Sequence, residues 1–181
     1  MTTLISLGLK PIPYEPCCYS KDRILLFFYV DDIVLAYQKG KKSQVKVLIQ
    51  AIKNRYTLSR GDNLQWFLGI EILRNRKEGL IKLSQTLYID KIAKLAKEGP
   101  IPATPMRNIE LLPYKGQASL TSINHYQRKI GSLLYAAVIT RPDIAFATSR
   151  LARFNINPSP KHQKEADRAL RYLQGTRNLA L

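Results

Sequence analysis

The chain has 181 residues, enough for one large domain or two small ones, and its 45% hydrophobic content can build a core. Twenty-nine Lys and Arg against thirteen Asp and Glu leave a net charge of +16, an attractive field for a polyanion that does not specify which one. The two cysteines, Cys17 and Cys18, are adjacent, which excludes a disulfide framework and a Cys-based zinc site.

No secretory signal is visible at Met1, and the apolar run 24–30 is far too short to span a bilayer and ends in two acids. The chain is therefore expected to be soluble and intracellular, with no membrane partner. His125 and His162 stand apart from each other and from any Cys or acid cluster, so surface or packing roles fit them better than metal ligation.

In chain order, the first pattern is the apolar run 24–30, the acids Asp31 and Asp32, and a second apolar run 33–37. This predicts a β-hairpin with its charge at the tip. Two readings of the tip stay open. Asp is a common turn residue; paired carboxylates are also hard oxygen ligands suited to Mg²⁺ or Mn²⁺. Asp22 is separated from Asp31 by an apparently extended run that would hold the two about 30 Å apart, so it is not expected to join a metal there. Glu15 is the other upstream candidate.

Lys39-Gly40-Lys41-Lys42 breaks the pattern, and Val45, Leu48, Ile49, Ile52 and Tyr56 then recur at helical spacing with Lys46, Lys53 and Arg55 turned outward. That helix is expected to cover the back of the sheet. Residues 64–73 read as a strand, 74–79 as a polar turn and 80–83 as its partner, a second hairpin. A short helix is predicted over 86–97. Pro100, Pro102 and Pro105 then forbid helix and predict an extended linker and a domain boundary, dividing the chain into 1–98 and 99–181. Beyond it, helices are predicted over 123–138, over 143–154, and from Ser159-Pro160 to Gly175.

Several ordered segments share a resemblance. Tyr29-Val30-Asp31-Asp32-Ile33, Trp66-Phe67-Leu68-Gly69-Ile70, Thr104-Pro105-Met106, Ile130-Gly131-Ser132-Leu133-Leu134-Tyr135, Thr140-Arg141-Pro142-Asp143-Ile144 and Leu170-Arg171-Tyr172-Leu173-Gln174-Gly175-Thr176 together resemble the C-terminal half of a copia-type LTR retrotransposon reverse transcriptase, part of a Pol polyprotein. The resemblance departs at Gly61-Asp62, where the family usually carries Leu-Gly.

The resemblance implies an α+β fold: a partial polymerase palm of two β-hairpins and a packing helix, followed by an α-helical thumb and connection. It implies RNA-directed DNA polymerase activity with Mg²⁺ or Mn²⁺. Asp31 is the principal metal ligand and Asp32 the accessory carboxylate, Tyr29 packs under the primer terminus, and Val30 lies on the nucleotide side. Trp66, Phe67, Leu68 and Gly69 belong to the primer grip, where the bland alternative is core strand. The implied partners are an RNA/DNA template–primer duplex, deoxynucleoside triphosphates, and the upstream fingers and palm and downstream ribonuclease H of the polyprotein; the implied location is a cytoplasmic virus-like particle.

In the thumb and connection, Arg128, Lys129, Arg150, Arg153, Lys161, Lys164, Arg168 and Arg171, with Tyr126, Tyr135 and Tyr172 nearby, are expected to hold duplex through phosphates and sugars. The alternative is a solvated face over core tyrosines. The thirty residues ahead of Asp31 are expected to leave no room for the family's third carboxylate and fingers, and no ribonuclease H acids are expected here. The expected outcome is little or no polymerase activity alone. Two other readings stand beside it: a non-catalytic nucleic-acid-binding remnant, and a different metal enzyme such as a phosphodiesterase, for which no completing His or acid cluster is visible.

Overall fold

The computed structural model describes residues 2–58 and 64–181, and the chain divides into two compact units, one running to Leu64 and the other from Gln65 to Leu181. The Gly61-Asp62 departure noted above lies outside the described residues. Together the units carry two sheets and a set of helices, an α+β composition.

In the first unit a short helix, α1 (Thr2–Ser6), precedes four strands, β1 (Lys10–Ile12), β2 (Glu15–Lys21), β3 (Ile24–Tyr29) and β4 (Asp32–Tyr37). They form an antiparallel meander in the order β1-β2-β3-β4. Asp22 and Arg23, both at positive φ, make the two-residue turn from β2 to β3, the backbone twist that tight hairpins favour. Alternation sets the buried face: Ile24 and Leu26 are buried while Leu25 between them is exposed. Helix α2 (Lys42–Lys53) lays Val45, Leu48 and Ile52 against Leu9, Tyr19, Ile24 and Leu26, as its 3.6-residue period requires. Strands β1 and β2 escaped the sequence reading. Pro11, Pro13 and Pro16 break up the apolar pattern there, and Pro11 is tolerated because β1 is an edge strand with a register shift beside it.

The second unit opens with β5 (Trp66–Phe67), β6 (Ile70–Asn75) and β7 (Leu80–Ser84), a three-stranded antiparallel sheet in sequence order. The single strand expected over 64–73 is thus two strands, because Leu68 and Gly69 both take positive φ and reverse the chain between them. Helices α3 (Thr86–Ala93), α4 (Leu120–Ile139), α5 (Ala145–Ala152) and α6 (Pro160–Gly175) follow, with a 3-10 turn at Pro142–Ile144 leading into α5. Their common core contains Ile89 and Ile92 of α3, Tyr126, Ile130 and Leu133 of α4, Leu151 of α5, and Ala166, Leu170 and Leu173 of α6.

The boundary expected at 98/99 therefore falls inside the second unit, and the two units meet at Leu64 and Gln65. The proline-rich segment is bound to α6. Arg171 donates to the carbonyls of Lys97 (2.9 Å) and Pro100 (3.1 Å), Arg168 to the carbonyl and hydroxyl of Thr104 (3.1 and 3.0 Å), and Lys161 to the Glu110 carbonyl (2.9 Å). Arg107 of the same segment pairs with Glu165. An extended backbone outside a sheet leaves its carbonyls without partners, and the guanidinium forks of α6 supply donors to them.

Helix α6 begins in a capping box. Ser159 Oγ accepts from the His162 N–H (3.2 Å), and the Ser159 N–H donates to His162 Nδ1 (3.0 Å), with Pro160 at the first helical position. The imidazole is stacked on Phe154, ring centroids 3.8 Å apart. Burial pushes its pKa below the ordinary 6.5, and Lys161 adds to that. The folded state thus resists a proton that the unfolded state accepts, so stability is full above about 6.5 and falls as pH drops below it. The expected result is a thermal midpoint that declines between pH 7 and pH 5, with the decline reduced in His162→Gln.

Candidate active site and nucleic-acid interface

The hairpin of β3 and β4 pairs Tyr29 with Asp32, leaving Val30 and Asp31 as the two turn residues. Leu26 and Val34 bury its stem, whereas Tyr29, Val30, Asp31, Asp32 and Ile33 are all exposed. The sequence places the two acids side by side, and the pairing puts them at the tip of a hairpin that belongs to the four-stranded sheet. Val30 has φ +52° and is 80% exposed. A β-branched residue in the left-handed region is strained by roughly 1–3 kcal/mol, and no side-chain burial offsets that here. Val30→Gly is expected to stabilise the first unit by about 1 kcal/mol, net of glycine's larger unfolded-state entropy, read as a higher urea midpoint.

The expectation for Asp22 agrees with its place: it lies in the β2–β3 turn, at the other end of β3 from Asp31. Glu15 begins β2. Among the described residues no group of three or more His, Cys, Asp or Glu is gathered where it could hold a metal ion. Asp31 and Asp32 are right in kind for a hard dication but are two donors, and a filled octahedral shell needs oxygens from elsewhere.

In the second unit, Trp66 and Phe67 form β5 and Leu68 and Gly69 the turn into β6, with Trp66 and Leu68 exposed. The Leu68 carbonyl accepts a hydrogen bond from the Tyr135 hydroxyl on α4 (2.8 Å). Tyr135 is braced edge-on by Tyr88, 4.9 Å between centroids, and the Tyr88 hydroxyl donates to the Ser132 carbonyl (3.1 Å). Sequence reasoning missed this support, because Tyr135 is 67 positions from Leu68 and its helical spacing marks it equally well as core.

The basic residues of the helical region divide sharply. Arg128, Arg153 and Lys164 are exposed and Arg150 is half-buried, and none of the four has a hydrogen bond or ion pair among the described residues. Lys129 is the correction. Its side chain is 1% exposed, and its ammonium donates to Asp167 (2.6 Å) and Gln163 (3.1 Å), so it offers no charge to a phosphate. Arg168, Arg171 and Lys161 are committed to backbone carbonyls of 97–110 as described. Tyr126 is core, its hydroxyl donating to the Leu151 carbonyl (2.9 Å), and burial pushes its pKa up. Tyr172 lies beneath the Arg141 guanidinium.

Over 177 residues, 90% of the chain, the sequence is 31% identical to a retrovirus-related Pol polyprotein from transposon TNT 1-94 of Nicotiana tabacum. It is 34% identical over 156 residues, 84% of the chain, to that from transposon RE2 of Arabidopsis thaliana, and 34% over 163 residues, 87% of the chain, to that from transposon RE1 of the same plant. The chain belongs with the Pol polyproteins of copia-type transposons. It spans 13%, 10% and 11% of these three relatives, so it corresponds to one stretch of such a polyprotein. No family model and no solved structure matches it. Within the Pol stretch no helix among the described residues is long and apolar enough to cross a membrane.

Proposed function

We propose that this Pol stretch is a reverse transcriptase segment: the first unit carries part of the catalytic palm, and the second carries the primer grip and a helical thumb that holds template–primer duplex. The observation that carries the reading is the exposed Asp31–Asp32 pair at the tip of the β3–β4 hairpin, at the positions where the resemblance expects polymerase carboxylates. Asp31 is the principal ligand and Asp32 the accessory one. Tyr29 supports the primer terminus, and the Trp66–Gly69 turn, steadied by Tyr135, orients the primer phosphates.

When bound, Mg²⁺ or Mn²⁺ would activate the primer's 3′ hydroxyl and neutralise charge on the departing pyrophosphate. Two carboxylates hold such ions poorly, so the chain alone is expected to bind duplex and to extend primers little or not at all. The same shortage of ligands among the described residues favours the second reading, a nucleic-acid-binding remnant without catalysis.

The test is binding and extension of an RNA template with a DNA primer, in Mg²⁺ and in Mn²⁺, by the purified chain with and without the Pol segment that precedes it in its relatives. The expected result is salt-sensitive duplex binding by the chain, extension only when the upstream segment is supplied, and loss of that extension in Asp31→Asn. Binding without extension in every mixture would leave the remnant reading. Extension indifferent to Asp31→Asn would remove Asp31 from the chemistry.

A further inference from the structure

Two open clefts of the second unit share one residue, Arg107. The larger, about 460 Å³, has Met106 and Ile109 beside Phe146, Ala147 and Arg150 of α5. The smaller, about 350 Å³, is lined by five cations, Lys97, Arg107, Lys164, Arg168 and Arg171, together with three acids. Two of those acids are already matched: Glu165 pairs with Arg107 and Asp167 with Lys129.

Phe146 lines the larger cleft and is 72% exposed, so most of its surface is accessible. Among the described residues Arg150 has no hydrogen bond or ion pair, and Arg107 binds Glu165 through Nε and Nη2. The one acid in the larger cleft, Asp143, accepts from Arg141 Nε (2.9 Å) and Nη2 (2.7 Å), so its charge is compensated from within the fold. An aromatic surface, an unpaired guanidinium and an adjoining cationic cleft are the elements of a site for unpaired nucleotides: the ring stacks a base while the cations follow the phosphates. Bases within a duplex are stacked on one another and present only their edges, so a ring at the rim of a cleft reaches a base face only where the strand is single.

We infer that the two clefts form a binding track for single-stranded nucleic acid, with one base on Phe146, its phosphate between Arg150 and Arg107, and the following phosphates over the cleft of Lys97 and Lys164. This rests on the nucleic-acid-binding reading above and adds a second mode to it, distinct from duplex binding.

The experiment is fluorescence anisotropy of the purified chain with a labelled single-stranded oligonucleotide and, separately, with a labelled RNA–DNA duplex, for the wild type, Phe146→Ala, Phe146→Leu, Phe146→Trp and Arg150→Gln. Both Phe146→Ala and Phe146→Leu are expected to weaken single-strand binding about tenfold and to leave duplex binding unchanged, with Phe146→Trp retaining the wild-type affinity. Arg150→Gln is expected to flatten the salt dependence of single-strand binding. Because Phe146 is mostly exposed, thermal midpoints should not move. Unchanged single-strand binding in Phe146→Ala, with duplex binding intact, overturns the track and leaves the proposed function standing. Equal weakening toward strand and duplex also overturns it, since the ring would then not be selecting unpaired bases. A wild-type chain that binds neither probe overturns both.

Discussion

Lys129→Met is expected to destabilise the helical unit by about 3–5 kcal/mol, because it leaves Asp167 as a buried charge with its partner gone. Both side chains are almost fully enclosed, at 1% and 5% exposure, and the ammonium sits 2.6 Å from the carboxylate. The loss arises chiefly from stranding one ion. The double variant Lys129→Met/Asp167→Leu should therefore recover most of it, since an apolar pair of similar volume needs no compensation. Urea unfolding followed by helical circular dichroism separates the two. A single variant that loses less than about 1 kcal/mol would mean that the pair behaves like a solvated surface bridge. Duplex binding gives an independent check: at a temperature where the double variant is folded, its affinity for template–primer should equal that of the wild type, because Lys129 does not face solvent.

Arg141 carries the second large effect. Its guanidinium, 1% exposed, donates to both carboxylate oxygens of Asp143 and to the carbonyl (3.1 Å) and hydroxyl (2.6 Å) of Thr176, joining the end of α4 to the end of α6. Arg141→Met removes all four bonds and is expected to cost about 3 kcal/mol or more. Arg141→Lys should recover only part, since a single ammonium cannot reproduce the fork that reaches two partners at once. Burial alone would raise the Asp143 pKa, but hydrogen bonds from Arg141 and Tyr172 and the Arg141 charge outweigh it and hold the carboxyl below its ordinary 3.8. The contribution of Asp143 is thus present above pH 3.8 and lost as pH falls through the lowered folded value. The difference in unfolding free energy between wild type and Arg141→Met should accordingly be largest near neutrality and shrink in acid. A difference that is constant with pH would remove the carboxylate from the account.

These two residues show what charge composition can and cannot reveal. With 29 cations and 13 acids, pairing every acid still leaves 16 cations without one, so a surplus of positive charge was legible from counting. Which cations form it was not. Lys129 and Arg128 are neighbours in sequence, yet one points into the core and the other to solvent, and the difference is made by Asp167 and Gln163 on α6. Arg168 and Arg171 read as phosphate ligands because they are basic and sit on an amphipathic helix. The structure commits them to backbone carbonyls more than sixty positions away.

What the sequence determined by itself is what neighbouring residues decide. The Tyr29–Asp32 hairpin, the helix behind it, the long α4, and the Ser159-Pro160 start of α6 all follow from side-chain period, turn chemistry and capping within a few residues. Tertiary structure alone decided the rest: the addition of β1 and β2 to the sheet, the division at Leu64 and Gln65 in place of the proline segment, the reversal at Leu68–Gly69 under Tyr135, and the burial of Lys129 and Arg141. Each depends on a partner remote in sequence, and burial and ion pairing are properties of the assembled surroundings that no local window contains.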